Sequence, residues 1–145
     1  MRREGLRTWA PLEWGSKRHG ATSRNTTEAE ITATSDATFR VGVPIQTFLE
    51  RLLARAVRLV AMQDNSACVI DVKRGYSRKM ARLPRHQKVS LGSLHERLVE
   101  DPTGAIDQIP TKRQLADLLM KGLDHTAHWV LVYMTGMSSG ADARL

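Results

Sequence analysis

Cysteine is almost absent from this chain, and aromatic side chains are few. One cysteine, Cys68, stands among 145 residues. A disulfide framework needs two, and a cysteine-based zinc site needs further ligands, so both are excluded. That usage fits an intracellular setting. Phe, Trp and Tyr number 2, 3 and 2, too few for a file of rings on which successive bases of a single strand would stack. No apolar run approaches the roughly 18 residues that a membrane span requires. The basic N-terminus (Arg2, Arg3, Arg7) has no apolar stretch after it, so it does not read as a secretory signal. No internal repeat is present. Acidic residues are the minority, 15 Asp and Glu against 22 Lys and Arg, for a net charge of +7. That balance points to a polyanionic partner, nucleic acid before membrane. A basic chain with no specific ligand is the plainer alternative.

What is there suits one folded domain. The length allows a core, and 41% of residues are apolar. Arg7 to Trp14 reads as an extended segment with Pro11 at an edge, and Ser16 to Arg24 as a polar turn region. A helix is expected to begin near Asn25 to Thr27, where Asn25 with Glu28 and Thr27 with Glu30 fit the capping-box spacing. A second helix is expected to start at Pro44, with Ile45, Phe48, Leu49, Leu52, Leu53 and Ala56 on its buried face. Val57 to Met62 predicts a buried strand, followed by a short helix that Gly75 stops. Lys73 to Lys88 is a basic segment without an acidic residue. Val89, Leu91, Leu94 and Leu98 mark another helix, and Ala105 to Ile109 another strand. Thr111 to Gln114 opens a helix with Leu115, Leu118 and Leu119 on its apolar face. Trp129 to Met134 reads as a helix or a strand, and 138–145 as a disordered tail. This alternation predicts an α/β fold with a mixed sheet and flanking helices.

Three segments carry a more specific pattern. The first is Trp14, Ser16, Lys17, Arg18, then Ser23, Thr26, Thr27, Glu28, Ala29 and Glu30. The second is Gln63-Asp64-Asn65-Ser66-Ala67. The third runs from Thr111 through Gln114, Ala116, Asp117 and Leu118 to Lys121. Together, and in this order, they resemble the ribonuclease H domain of copia-type retrotransposon polyproteins. The resemblance implies a ribonuclease H-like fold. It also implies Mg²⁺-dependent cleavage of the RNA strand of an RNA/DNA hybrid, with Mn²⁺ as a substitute ion. Glu30, Asp64 and Asp117 would be three of the family's four metal ligands and catalytic carboxylates. Clustered carboxylates suit this chemistry, because two divalent ions need hard oxygen ligands holding them about 3.5–4 Å apart. Glu28 and Glu30, two apart on a helix, cannot both face the site, and Glu30 is the one assigned.

The sequence also departs from that family. His19 replaces a usual Gln, and Met120 a usual Thr. Only 13 residues precede Trp14, and none is Asp. The family's first catalytic Asp, and the strand that bears it, are therefore expected to be missing, as in a truncated copy whose hydrolysis is weak or lost. The expected layout is a residual strand at 1–13, a partial ribonuclease H-like domain at 14–122 and a C-terminal extension at 123–145. Lys17, Arg18, Lys73, Arg74, Arg78, Lys79, Arg82, Arg85 and Lys88 are the candidate contacts to nucleic-acid phosphates. A non-catalytic nucleic-acid-binding remnant using the 73–88 segment is the alternative. Each carboxylate also has a bland reading: Glu30 as a capping residue, Asp64 as the cap of the following helix, and Asp117 as a solvated helix residue. The scattered histidines give no zinc site, since His125 and His128 alone have ligand-like spacing. Cys68 reads as packing.

Overall fold

The structure is a computed structural model that describes residues 11–15, 26–77 and 91–135. The chain divides into two compact units, one of residues 19–109 and one of residues 1–18 with 110–145. The architecture is mixed α/β. The described residues form helices and a two-stranded parallel sheet. No helix among them is long and apolar enough to cross a membrane.

In the 19–109 unit, β1 (Leu59–Gln63) pairs with β2 (Gly104–Gln108), in register from Leu59 opposite Gly104 to Gln63 opposite Gln108. Parallel neighbours cannot be joined by a tight turn, and here the connection carries α3 (Ser66–Arg74) and α4 (Leu91–His95). A π-helical turn, Glu96–Glu100, extends α4 to the approach of β2. The apolar core cluster lies within this unit. Ile31, Cys68, Val72 and Leu94 are each 0% exposed, with Val69, Leu91, Leu98 and Ile106 around them. Leu91, Leu94 and Leu98 fall on one helical stripe, as their 3-and-4 spacing requires. The sequence-based boundaries of β1, α3 and β2 agree with these elements to within one or two residues, and Val89, the first residue expected in the next helix, lies outside the described residues. The pairing seen among the described residues is parallel, without the antiparallel partner that a mixed sheet would show.

Two glycines are required by position. Gly75 has φ +72°, the left-handed turn that ends α3, and its N–H donates to Val72 O at 3.1 Å. Gly104 opens β2 against the backbone of Arg97, where a Cβ would collide with the Arg97 carbonyl oxygen.

The expectation of two separate helices is corrected. α1 (Thr26–Asp36) passes through a π-helical turn (Ala37–Gly42) directly into α2 (Val43–Leu53), with helical backbone at Asp36, Gly42 and Val43. Pro44 explains the wide turn: it lacks the N–H that would bond Arg40, and its ring crowds that carbonyl. Val43 N–H reaches back five residues to Thr38 O instead of four. The turn therefore holds one extra residue and shifts the helix face by about 100°.

That shift overturns the expected face of α2. The buried positions run Glu28, Ile31, Thr34 and Thr38 on α1 and its π-helical extension, then Gln46 on α2. The sevenfold spacing of Ile31, Thr38, Ile45 and Leu52 would place Ile45 inward on an unbroken α-helix. The extra residue puts Gln46 there, and Phe48 and Leu52 stand 62% and 66% exposed. Ala56 is exposed as well. Gln46 is buried because it is fully engaged. Its Nε2 donates to Val57 O at 2.6 Å and Thr103 Oγ1 at 3.2 Å, and its Oε1 accepts from Arg97. Arg97 is held in turn by Asp101 at 2.9 Å. Thr103 donates to Asp101 from both its backbone N–H and its hydroxyl, which keeps that carboxyl below the usual carboxylate range.

In the other unit, residues 11–15 carry no regular structure. The expected strand residues before them lie outside the described residues, as do the polar turn at 16–24 and the tail at 138–145. The helix predicted to run from Thr111 with Leu115, Leu118 and Leu119 inward is also corrected. A 3₁₀ turn, Thr111–Arg113, is followed by a short α5, Asp117–Met120. Its N-cap is Pro110, which makes no side-chain cap bond, and Gln114 leaves the helical region at ψ 100°. The helix restarts only at Asp117, and Leu119 remains exposed. Trp129 to Met134 is helical, as part of α6 (His125–Met134), capped by Asp124 Oδ1 accepting from Ala127 N–H at 2.8 Å.

Candidate functional site at the end of the first strand

Leu59, Ala61 and Gln63 alternate along β1 and so share one face of the strand. Leu59 and Ala61 pack on the core. Gln63 continues that face past the end of the apolar cluster and is buried. Its carboxamide is saturated in both directions. Oε1 accepts from Asp64 N–H at 2.9 Å and from Asn65 N–H at 3.2 Å. Nε2 donates to Glu30 Oε2 and to Thr34 Oγ1, each at 3.2 Å. With the oxygen committed to two backbone donors, the amide nitrogen must face Glu30.

The other groups complete the arrangement. Thr34 donates to Glu30 O at 2.7 Å and lies 3.8 Å from Cys68 Sγ. Asn65, extended at φ −80° and ψ 103°, is the N-cap of α3 and accepts from Cys68 N–H at 3.2 Å. The capping role entertained for Asp64 thus belongs to Asn65. The Asp64 side chain is half-buried and makes no hydrogen bond among the described residues. Burial pushes the Cys68 thiol up to about 11, and the Glu30 and Asp71 carboxylates add to the rise while a Thr34 hydrogen bond opposes it. Cys68 is packed and protonated, unsuited to nucleophilic work.

One carboxamide therefore links Glu30, on α1, to the backbone of Asp64, just past β1. Asp117 belongs to the other unit. It is buried, and its Oδ2 is paired with Lys121 Nζ at 2.7 Å. No group of three His, Cys, Asp or Glu side chains able to hold a metal ion occurs among the described residues. Mg²⁺ uses one or two carboxylates and keeps several waters. Lys73 and Arg74 are exposed in the last turn of α3. Lys17, Arg18, Arg78, Lys79, Arg82, Arg85 and Lys88 lie outside the described residues.

Gln63 and Thr34 were not singled out from the sequence. The signal was present: a polar residue two positions beyond Ala61 on the inward phase of a strand must find buried partners. No family model, no curated protein and no solved structure matches the chain.

Proposed function

We propose that this chain is a ribonuclease H-like domain of the copia-type retrotransposon kind. It engages an RNA/DNA hybrid, and its hydrolysis of the RNA strand is weak or lost. The observation that carries this reading is the Gln63 bridge. Glu30 and Asp64 come from two segments far apart in sequence, and the resemblance assigns both to one site; the carboxamide of Gln63 joins them. The place of Asp64 adds support, since the carboxyl end of a strand in a parallel sheet favours ligand sites.

Glu30 and Asp64 would hold Mg²⁺, or Mn²⁺ in its place, in this reading. When bound, the ion would supply Lewis-acid charge to a scissile phosphate and lower the pKa of a coordinated water. Gln63 sets the direction of the Glu30 carboxylate, and Asn65 fixes the turn that presents Asp64. The basic side chains would draw the hybrid through its phosphates, with affinity falling as salt rises.

A specific observation favours a second reading, a nucleic-acid-binding protein without catalysis. In-line displacement at two ions needs more carboxylates than the pair that Gln63 joins. The test is cleavage of a labelled RNA strand in an RNA/DNA hybrid, with Mg²⁺ and then Mn²⁺, beside salt-dependent binding of the same hybrid. Cleavage that disappears in Asp64→Asn establishes the hydrolase. Binding without cleavage at high protein concentration leaves the second reading. Absence of both overturns the proposal.

A further inference from the structure

A cavity of about 450 Å³ opens on the outer side of α3, on residues that the carboxylate site does not use. Ala67, Ile70, Asp71 and Arg74 recur at 3, 4 and 7 residues along α3, so they form one outward stripe of the helix. The left-handed turn at Gly75 then returns the chain, and Tyr76 and Ser77 line the same cavity. Thr27, in the first turn of α1, completes it. The lining thus combines a phenol ring and the aliphatic side chains of Ala67 and Ile70 with a carboxylate, a guanidinium and the hydroxyls of Thr27 and Ser77.

We infer that this cavity is a binding site for a single guanine nucleotide, presented free or as an unpaired residue of a nucleic-acid strand. The groups divide the ligand between them. Arg74 is placed for the phosphate, for which a guanidinium fork is the best protein partner. Tyr76 and Ile70 offer the surfaces between which a base lies, and one ring serves one base where a long strand would need several. Asp71 decides which base. A carboxylate accepts two parallel N–H bonds, and guanine alone of the four common bases presents two adjacent donors, N1–H and N2–H, on its pairing edge. Adenine and cytosine offer one amino group beside an acceptor that Asp71 would repel. Uracil offers one N–H between two carbonyls. The volume suits a mononucleotide, within the usual size range of small-molecule sites. The inference stands on the cavity alone and does not require the hydrolase reading.

The experiment is a titration of the full chain with GMP, AMP, CMP, UMP and inorganic phosphate, followed by calorimetry or by amide shifts. GMP is expected to bind about tenfold more tightly than the other three, the discrimination a bidentate contact supplies. Asp71→Asn should abolish that preference, because its amide confronts one guanine donor with another. Arg74→Ala should weaken GMP while leaving guanosine unchanged, and Tyr76→Ala should weaken every nucleotide while Tyr76→Phe does not. Equal binding of the four nucleotides overturns the inference. So does phosphate alone binding as tightly as GMP, or no saturable GMP binding by a chain with a native circular-dichroism spectrum. These comparisons use the unaltered chain, so they hold even where a variant fails to fold.

Discussion

Helices α2 and α3 both carry an apolar stripe at helical spacing, and their fates are opposite. The α3 stripe of Cys68, Val69 and Val72 is short and of modest size, yet it forms the centre of the core. The α2 stripe is longer and bulkier, yet Phe48, Leu52 and Leu53 face outward. Periodicity says that a segment is a helix with two unlike faces. Which face is covered depends on what the neighbouring chain presents. α3 is flanked by strands whose inward face is apolar. α2 is anchored by polar bonds from Gln46 to Val57, Thr103 and Arg97, which fix its rotation with the apolar side away. Their ends differ in the same sense: α3 stops at a glycine with φ +72°, α2 at Ala54 with φ +50°, a region where an L side chain is strained.

The sharpest way to break this contrast is a pair of truncations. Leu94→Ala, beneath α3, should lower the unfolding free energy in urea by about 2–5 kcal/mol. Leu52→Ala on α2 should stay within about 0.5 kcal/mol of the parent. Equal losses would show that α2 is covered in solution. Next in size, Gln63→Leu strands Glu30, Thr34 and two backbone N–H groups, and should cost about 1–3 kcal/mol in the same experiment. Smaller again, Ala54→Gly should stabilise and Gly75→Ala destabilise, each by about 1 kcal/mol, since only glycine accepts the left-handed turn without strain.

A further effect is a pH dependence, confined to alkaline solution. The Cys68 pKa is raised from 9.0 to about 11. The stabilisation from keeping the thiol neutral is therefore full below pH 9 and is lost as pH rises through 11. A thiol reagent should react slowly with the native chain at pH 8 and promptly once denaturant opens the core. Prompt native reaction would place Cys68 outside the core that distinguishes α3 from α2.

The βαβ core was legible because each of its signals is local. An apolar strand, a polar turn, Gly75 as a stop, and Leu91, Leu94 and Leu98 on one stripe all require the same elements. The rotation of α2 was not legible, because its own periodicity shows an apolar face without showing what covers it, and the extra residue at Ala37–Gly42 sets that face relative to α1. At the candidate site, Glu30 and Asp64 were named from the sequence as candidates. The group that connects them was not, because Gln63 reads as the first residue of a turn until its strand phase is known. Asp117 was expected on a full helix, and the extended backbone at Gln114 leaves it on a short one.

The wide turn before Pro44 behaves as a one-residue insertion that the helix has absorbed without unwinding. Such an insertion has an inverse. Pro44→Ala alone, which restores an N–H able to bond the Arg40 carbonyl, would let an ordinary α-turn replace the wide one with no residue removed and carry the chain downstream round by one position. Ile45 and Leu52 would then rotate toward the side now held by Gln46, and the polar anchor would be exchanged for an apolar one. The same stretch of chain thus encodes two helical faces, and a single edit selects between them.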